Sequence, residues 1–381
     1  MKILLVSIPN HHFFQWANQL KEAGHEVHWF DITDGAGFSD KINWVTQYAG
    51  WKLRWNFPFR HRLKKQFPSL YQSIQSINER SVSSTFNRLV TNLQPDVIHV
   101  FEMQLSGHPI FSVLEQHTSI PLIYSSWGSD MFQYERLGLT TPFVKKFLNR
   151  VDYLITDCKR DYKKALQLGF KNKFLGVFPG NGGVDFIKEA ILAPSARATI
   201  MVKGYEDGVG KALVVLQAIA NYAPQVLDCY KLLVYSADEA VVQYLNSSSF
   251  YKKHNISVFL RSSYIPNNQI ITYMGQSVLH IANSVSDGMP NVVLEAMGMG
   301  AFPIQSNPGH VTEEVITHQK NGLLISSPES EEEIAHHITI ALANLPMREA
   351  AQEYNTSYMH NHYDRQQLKA KIVALYSQIF N

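Results

Sequence analysis

Two carboxylates eight residues apart, Asp287 and Glu295, stand in a stretch whose pattern predicts a strand end, a turn and a helix start. The apolar run Ser277–Ala282 is typical of a buried parallel strand. Asp287 begins an Asp-Gly turn, and Pro290 suits a first helical turn, where no N–H donor is needed. Glu295 then falls on the same predicted helix face as Asn291. Carboxylates and exposed helix N–H groups that meet at a strand end favour a site for a polyhydroxylated, phosphorylated ligand. The spacing equally allows Asp287 to cap the helix and Glu295 to be solvated.

Length and composition narrow the class of protein. A chain of 381 residues predicts two domains. The net charge of +2 argues against a general nucleic-acid binder. Two distant cysteines, Cys158 and Cys229, argue against a disulfide framework or a zinc knuckle and suit a reducing compartment. The first ten residues resemble a strand more than a signal peptide, and no apolar run approaches the length of a membrane-spanning helix. We therefore expect a cytoplasmic protein.

The order of strands and helices predicts an α/β fold with parallel sheets, in two successive waves. The first wave has predicted strands at Lys2–Ile8, Glu26–Phe30, Val97–Phe101, Pro121–Ser125, Val151–Thr156 and Phe174–Phe178, with helices at Phe13–Ala23, Ser83–Leu93 and Arg160–Leu168 and a loop at 34–40. A glycine-rich link, Pro179–Asp185, follows it. The predicted domains are 1–184 and 185–359, and the sequence leaves open whether the C-terminal helix 360–381 packs back on the first.

The second wave surrounds the two carboxylates. It has predicted strands at Ala198–Val202, Lys231–Tyr235, Ile256–Leu260, Ser277–Ala282, Phe302–Gln305 and Leu323–Ile325, with helices from Lys211 and at Asn268–Met274, Asn291–Met299, Val311–Ile316, Glu331–Leu342 and Met347–Phe380. Ligands of open parallel sheets bind at the carboxyl ends of strands, so two such halves suggest a cleft enzyme.

The segment Trp51–Leu70 is rich in cations and aromatic residues and contains no acid. Its candidates for a membrane surface are Trp51, Arg54, Trp55, Arg60, Arg62, Lys64 and Lys65. Cations interleaved with aromatic rings suit anionic lipid headgroups or an anionic substrate. The alternative is an ordinary helical hairpin whose aromatic residues pack inward while the cations are solvated.

Five short segments, in the same order along the chain, resemble family 4 of the retaining nucleotide-sugar glycosyltransferases with the GT-B fold. They are GHEV at 24–27, PDVIH at 95–99, NGGVD at 181–185, DGMPNVVLEAM at 287–297 and NGLL at 321–324. The family carries two carboxylates in the fourth segment, where this chain has Asp287 in place of the usual glutamate. The resemblance covers nearly the whole chain.

The resemblance implies two doubly wound, Rossmann-like domains that face each other across a cleft. The first domain would hold a glycan or lipid-linked acceptor, and the second a UDP-sugar or GDP-sugar as co-substrate. It implies transfer of a hexose-type sugar with retention of anomeric configuration, by front-face displacement. No other cofactor and no metal is expected, and no Asp-x-Asp cluster suggests one.

The donor-side residues follow from the same resemblance. Asp287 would contact the donor sugar and Glu295 the ribose hydroxyls. The segment Gly288, Met289, Pro290 and Asn291 would lie near sugar or phosphate, and the N–H groups after Gly288, other than at the proline, could donate to it. The family usually has an arginine and a lysine where this chain has Tyr205 and Gly210. We expect the neighbouring Lys203 and Lys211 to bind the phosphates instead; the alternative is a surface lysine pair beside a turn.

The acceptor-side predictions centre on Trp127, which stands where many relatives have a histidine. A tryptophan cannot shuttle protons but can stack on a sugar face. Asp130 and His11 are further acceptor-side candidates, and His108 is the candidate polar group near the reaction centre. Each histidine has an ordinary loop role as its alternative.

Other activities stay open at this stage. One alternative is a sugar-nucleotide epimerase or a phosphorylase of the same fold. Another is a catalytically degenerate protein that only binds a sugar nucleotide, which the departures at Asp287, Tyr205 and Trp127 favour. The basic aromatic segment adds the prediction of a peripheral location on the inner face of the cell membrane.

Overall fold

The computed structural model describes residues 1–35 and 37–379, which form two compact units. The first unit comprises Met1–Asp157, Asp161–Gly182 and the residues from Lys371 on, and the second comprises Cys158–Arg160 and Gly183–Ala370. The strands are β1 Lys2–Ser7, β2 Glu26–Asp31, β3 Thr46–Tyr48, β4 Val97–Phe101, β5 Leu122–Ser125, β6 Tyr153–Thr156, β7 Lys173–Val177, β8 Thr199–Lys203, β9 Lys231–Ala237, β10 Ile256–Leu260, β11 Ser277–Ala282, β12 Phe302–Ser306 and β13 Leu323–Ile325.

Helices alternate with these strands along the described chain. They are α1 His11–Gln19, α2 Arg60–Gln66, α3 Pro68–Asn78, α4 Val82–Leu93, α5 Phe111–Gln116, α6 Ser129–Phe132, α7 Thr141–Arg150, α8 Lys159–Gln167, α9 Ala212–Tyr222, α10 Val226–Cys229, α11 Glu239–Ser247, α12 Asn267–Gln276, α13 Asn291–Gly298, α14 Glu331–Ala343, α15 Leu345–Tyr363 and α16 Arg365–Ser377. Among the residues described, no helix is both long and apolar enough to cross a bilayer.

The first unit is built on one parallel sheet in the order β3-β2-β1-β4-β5-β6-β7. Its central strands β1 and β4 are nearly continuous, buried apolar runs because helices cover both faces, whereas the edge strand β3 is polar and partly exposed. On one face Leu4 and Val6 pack with Phe86 of α4. On the other, Trp16 lies edge-on to Phe101, with ring centroids 5.9 Å apart. The chain order reverses between β1 and β4, which makes their carboxyl ends the expected place for a ligand.

The second unit has a parallel sheet in the order β10-β9-β8-β11-β12-β13. Successive residues of β8 point to opposite faces, as strand geometry requires. Ile200 and Val202 join a core with α9 and α14, while Met201 joins a second core with α12 and α13. The sheet is therefore wound on both sides, and its chain order reverses between β8 and β11.

The C-terminal residues from Lys371 on belong to the first unit. The buried Tyr376 hydroxyl accepts a hydrogen bond from Trp16 Nε1 at 3.1 Å and lies 2.7 Å from His99 Nδ1. These contacts tie the last helix to the sheet that begins the chain.

The sequence analysis did not predict several observed elements, among them β3, α7 and α11, and one predicted helix differs in the structure. The helix predicted at Val311–Ile316 is a single 3₁₀ turn at Thr312–Glu314, where the Thr312 hydroxyl donates back to the Ser306 carbonyl. The unit boundary falls after Gly182, two residues before the expected position. Residue 36 of the predicted loop, and residues 380 and 381 of the predicted C-terminal helix, lie outside the described residues.

Candidate active site

The candidate donor site lies at the reversal point of the second sheet, between the carboxyl ends of β8 and β11. Lys203 is the last residue of β8, and the loop 283–290 leaves β11 toward α13. Doubly wound sheets bind their ligands in the crevice outside such a pair of strand ends. The chain thus brings the predicted lysine and the predicted carboxylate segment to neighbouring strands.

Two loops at this edge are bound to each other. The Lys211 N–H donates to the Asn283 carbonyl at 3.0 Å, and the Val285 N–H donates to the Val209 carbonyl at 3.0 Å. Gly204 allows the first loop to pass the next strand, since a Cβ there would lie 2.6 Å from the Ala237 Cα. The loops after β8 and β11 therefore form one rigid rim.

Glu295 is buried on α13, the helix that follows the second of these loops, and the residue is only 6% exposed. Burial raises its pKa to about 7, although a hydrogen bond with the Asn267 side chain and the positive charges of Arg365 and Lys203 act in the opposite direction. The alternative that Glu295 is a solvated helix residue is wrong. A buried carboxylate beside cations is instead the arrangement of a polar ligand site.

Asp287 is half-buried in the turn before α13. It does not cap the helix, which begins after Pro290 with no side-chain cap. Burial raises the pKa of Asp287, and Lys203, Arg160 and a hydrogen bond from the Gly288 N–H oppose the rise. The carboxylate thus sits close to two cations.

Arg160 is a site residue that the sequence did not reveal. Its guanidinium donates to the carbonyls of Asp287 at 3.0 Å and Pro308 at 2.9 Å. It fixes the turn that carries Asp287 and adds positive charge there. Its place in the chain, 127 residues earlier, gives no local signal for this contact.

Lys203 is the cation common to the groups of this site. Its charge lowers the pKa values of Asp287, Glu295 and His280. His280, on β11, lies 2.9 Å from the Tyr235 hydroxyl through Nε2. Burial, aided by Lys203, lowers the His280 pKa to about 3, so this imidazole is neutral at physiological pH.

Tyr205, at the position where the resembled family has arginine, packs against two cations. Lys203 Nζ lies 4.2 Å and the Arg261 guanidinium 3.9 Å from its ring centroid. Arg261 follows β10 and forms ion pairs with Asp207 at 2.9 Å and Asp238 at 3.1 Å. Sequence reasoning missed Arg261, whose only local signal is a cation just after a strand.

Lys211 has a different environment from Lys203. Its Nζ forms an ion pair with Glu329 at 2.7 Å, and this hydrogen bond raises the Lys211 pKa. The described contacts do not join Lys211 to either Asp287 or Glu295. The backbone segment Gly288, Met289 and Pro290 is buried, and Asn291 begins α13 half-buried.

The acceptor-side candidates fall partly together at the carboxyl edge of the first sheet. The His12 ring lies 6.2 Å from His11 and 6.3 Å from Trp127, and Trp127 lies 6.2 Å from Phe101 at the end of β4. The buried Trp127 Nε1 has no hydrogen-bond partner among the described residues. An indole N–H of this kind can donate to a ligand hydroxyl.

Asp130 is buried beneath the Trp127 loop and holds it. Its carboxylate accepts from the Trp127 N–H at 2.9 Å, the Met103 N–H at 2.8 Å and the Tyr124 hydroxyl at 2.6 Å. Burial raises its pKa. Asp130 therefore positions the loop, and its oxygens are engaged by the protein itself.

Glu102 is a second buried carboxylate near Asp130 that sequence reasoning did not single out. Its backbone has a positive φ of 69°, uncommon for a residue with a side chain, and its carboxylate accepts from the N–H groups of Gln104 and Leu105. Burial raises its pKa to about 8, with the negative charge of Asp130 adding to the effect. Its position directly after β4 was the available signal.

His108 is exposed, and its ring lies edge-on to Phe143, with centroids 4.6 Å apart. The contacts described for it do not reach Trp127 or Asp130.

Trp51, predicted to belong to a membrane surface, needs a correction. Its side chain is only 8% exposed, its ring stacks on Phe30, and its indole donates to the Asp31 carbonyl at 2.8 Å. Trp51 is a core residue and cannot belong to a membrane surface.

Family comparisons agree with this architecture. A family model described as "Glycosyl transferase 4-like" matches residues 2–158, and one described as "Glycosyl transferases group 1" matches residues 214–358. Between them they cover most of both units, and the second includes Asp287 and Glu295. The chain belongs to the glycosyltransferases of this type, and the prediction from its five segments is confirmed.

Solved structures show the same fold over the whole length. Sucrose-phosphate synthase from Thermosynechococcus elongatus has 15% identity and a TM-score of 0.71, covering 99% of this chain and 98% of that one. Anabaena HepE in complex with UDP and glucose has 14% identity and a TM-score of 0.66, covering 99% of each chain. The α,α-trehalose 6-phosphate synthase from Burkholderia multivorans has 13% identity and a TM-score of 0.64, covering 99% and 98%. No curated protein gave a significant match by sequence. The GT-B fold prediction, with two Rossmann-like domains, is confirmed.

Proposed function

We propose that this protein transfers a hexose-type sugar from a nucleoside-diphosphate sugar to a hydroxyl of a glycan or glycolipid, retaining the anomeric configuration and using no metal ion. The observation that carries the proposal is the pair of carboxylates, Asp287 and Glu295, near Lys203 at the reversal point of the second sheet. A UDP-sugar or a GDP-sugar is the expected donor. The solved complexes of Anabaena HepE with UDP and with UDP-glucose support the first of these.

Glu295 would bind the ribose. A carboxylate has about four acceptor positions, and the described contacts of Glu295 include one side-chain partner, Asn267. The 2′ and 3′ hydroxyls of a ribose can donate to the remaining positions. Because hydroxyls donate best to the ionised form, the raised Glu295 pKa makes donor binding sensitive to pH near neutrality.

Lys203 would neutralise the diphosphate as it leaves. A cation beside the leaving group, together with the N–H groups at the start of α13, stabilises negative charge that increases in the transition state. The positive charge of Arg160 lies close enough to lower the pKa of Asp287, and it adds to the positive potential at the site. Lys211, paired with Glu329, contributes less in this proposal.

The reaction itself is a front-face displacement. The bond between the sugar C1 and the phosphate oxygen breaks, and a bond forms between C1 and the acceptor oxygen on the same face. The acceptor hydroxyl proton passes to the departing phosphate, so no protein base is required. Asp287 would hold a hydroxyl of the donor sugar, and being shorter than the usual glutamate it would alter which sugar is accepted.

The first unit would bind the acceptor at the edge formed by His11, His12 and Trp127. Trp127 supplies a flat apolar face and a buried N–H with no described partner, both suited to a sugar. Asp130 acts as a positioning residue for that loop, because its oxygens already accept from three protein donors. His108, exposed against Phe143, is a weaker candidate for contact with the acceptor.

One observation favours a second candidate, a protein that binds sugar nucleotides without transferring the sugar. Tyr205 replaces the usual arginine, and Arg261 beside it is engaged by Asp207 and Asp238. A thermal-shift screen with UDP, GDP, ADP and their sugar conjugates identifies the nucleotide in either case, since a ligand of the native state raises its stability. Binding without turnover on a broad acceptor panel would favour this candidate. An epimerase or phosphorylase would be recognised from its products with and without acceptor.

The transferase proposal is tested with Glu295→Gln, using Glu353→Gln as the matched control because Glu353 is exposed on α15 of the same unit. Loss of charge-assisted hydrogen bonds worth about 1.5–3 kcal/mol predicts a roughly 10- to 100-fold fall in kcat/KM for Glu295→Gln and no change for the control. NMR of the product tests retention, and activity in a chelator tests metal independence. Equal transfer by wild type and Glu295→Gln, an inverted product or loss of activity in chelator would each refute the corresponding part.

A further inference from the structure

A helical hairpin of the first unit projects a surface unlike the rest of that unit. We call residues 54–78 the basic hairpin; it contains α2 and α3. From Trp51 to Asn78 the sequence has six lysines and arginines and no acid. Its structure decides between the two interpretations left open by the sequence, namely solvated cations over inward aromatic residues, or a surface that presents both.

The base of the basic hairpin is firmly fixed to the unit. The Arg54 N–H donates to the Asn78 carbonyl at 2.8 Å, and the Arg80 N–H donates to the Lys52 carbonyl at 2.7 Å. The Asn78 side chain bonds both the N–H and the carbonyl of Trp55, each at 2.9 Å. Because the base is closed by these bonds, the surface beyond it has a defined orientation.

Large apolar side chains of the basic hairpin point into solvent. Their exposed fractions are 47% for Trp55, 71% for Phe59, 58% for Phe67, 54% for Leu70 and 67% for Ile77. Single exposed apolar residues are normal, but a cluster on one small element marks an interaction surface. The interpretation with all aromatic residues packed inward is therefore wrong for Trp55, Phe59 and Phe67.

Exposed cations lie on the same hairpin as these apolar residues. Arg54, Arg62, Lys64 and Lys65 are exposed, and Arg60 is half-buried. Within the described part of the chain, none of these five forms an ion pair with an acid, whereas Lys52 at the base pairs with Glu79 at 3.6 Å. The positive charge of the surface is thus not neutralised by the protein.

An open pocket of about 410 Å³ lies at the start of α2. Its lining residues are Asn56, Phe57, Phe59, Arg60 and Arg62. The Arg62 guanidinium lies 5.6 Å from the Phe59 ring centroid. Aromatic walls with two guanidinium groups suit a phosphate that is joined to an apolar tail.

We propose that the basic hairpin docks the protein on an anionic lipid bilayer. Trp55, Phe59 and Phe67 would enter the headgroup region, where aromatic side chains partition favourably, and the cations would contact anionic headgroups. Charge complementarity and apolar exposure on the same element select this occupant. A nucleic acid would satisfy the cations but leave Leu70 and Ile77 in water.

Vesicle binding tests the electrostatic part. Full-length protein is sedimented with vesicles of phosphatidylcholine alone and of phosphatidylcholine with phosphatidylglycerol, at low and high salt. Each surface cation strengthens binding to an anionic membrane roughly fivefold, so Lys64→Gln with Lys65→Gln should weaken it roughly 25-fold. The control pair Lys163→Gln with Lys171→Gln removes equal charge from exposed positions of the same unit and should change nothing beyond the general charge effect. High salt should release the wild type.

Failure of the wild type to bind the anionic vesicles at low salt would overturn the proposal, as would an equal loss of binding in both lysine pairs.

The apolar part is tested with Phe59→Ser and Phe67→Ser. Because both side chains are exposed, the melting temperature should not change, while vesicle binding should fall. If those changes instead convert a dimeric wild type to monomer without altering vesicle binding, the surface joins two copies of the chain and the lipid proposal is wrong. None of these measurements requires catalytic turnover, so they test membrane docking independently of the proposed reaction.

Discussion

The two units each bury a carboxylate at the carboxyl edge of a parallel sheet, but the two carboxylates differ in their hydrogen-bond partners and neighbouring charges. Asp130 in the first unit accepts from two backbone N–H groups and a tyrosine hydroxyl. Glu295 in the second unit has one described side-chain partner, Asn267, and nearby cations in Arg365 and Lys203. Burial raises the pKa of both.

The difference separates a structural carboxylate from a binding one. A buried acceptor whose positions are filled by fixed donors holds loops in place. A buried acceptor with open positions costs stability until a ligand donates to it, which is common at functional sites. By this criterion Asp130 positions the Trp127 loop, and we propose that Glu295 binds a ligand with adjacent hydroxyls.

The largest expected effect on function comes from Lys203→Met, which keeps the side-chain length and removes the charge common to the second site. Losing a charge-assisted contact to the diphosphate predicts a roughly 100-fold fall in kcat/KM and a similar rise in the Kd of the nucleotide. Steady-state kinetics and calorimetry measure the two. Lys252→Met, at an exposed position of the same unit, is the control. A change below about threefold would remove Lys203 from the phosphate site.

Asp130→Asn should destabilise the protein without affecting nucleotide binding. An asparagine has only one acceptor oxygen, so its amide N–H groups would face a protein donor. Leaving buried donors unsatisfied predicts a loss of roughly 2–3 kcal/mol in the free energy of unfolding. Denaturant unfolding measures that loss, and an unchanged nucleotide Kd is expected. Wild-type stability would show that Asp130 is not the fixed support described here.

Glu295→Gln should have the opposite effect on stability at high pH. With a folded pKa of about 7 against an ordinary value of 4.5, the wild type keeps a proton that the unfolded chain has lost, so its stability falls as pH rises between these values. The variant lacks this loss and should be more stable than wild type by on the order of 2–3 kcal/mol at about pH 8, but not at about pH 4. Denaturant unfolding across this range checks the sign, and an unchanged difference between the two proteins would contradict the raised pKa.

Asp287→Glu should have the smallest effect. It restores the length of the usual side chain and keeps the charge beside Lys203 and Arg160, so transfer should persist. The longer reach should change the relative kcat/KM of competing donor sugars by about tenfold, the size of one altered hydrogen bond. Asp287→Asn is the partner variant and should lower kcat/KM for every sugar. Identical sugar preference in wild type and Asp287→Glu would show that residue 287 does not contact the sugar.

The sequence located the buried strands well, because helices on both faces make them nearly continuous apolar runs. The buried strands Val97–Phe101 and Ser277–Ala282 have the same bounds in the structure as in the prediction, and so does the partly exposed edge strand Ile256–Leu260. The position of Glu295 followed from the same local pattern. Its burial did not, because spacing on a helix does not say which face is covered.

Residues that act through long-range contacts were beyond local patterns. Arg160 reaches the turn of Asp287 across 127 positions, and Arg261 meets Tyr205 only because β8, β9 and β10 are neighbours in the sheet. Trp51 resembles its exposed neighbours in sequence, yet it is buried against Phe30. A sequence in which cations alternate with aromatic residues does not say which aromatic side chains are exposed. That depends on how the segment packs in the folded protein.

The most direct test of a ligand site built on Glu295 is calorimetric titration of UDP and GDP into wild type, Glu295→Gln and Glu353→Gln, at about one pH unit below and above the Glu295 pKa of about 7. Ionisation of Glu295 across this interval predicts roughly tenfold tighter binding of the preferred nucleotide at the higher pH. This gain should be present in wild type and in Glu353→Gln and absent in Glu295→Gln, which serves as the reference for titration of the nucleotide itself. If all three proteins bind equally and respond equally to pH, Glu295 does not hold the ribose and the account of the donor site is wrong.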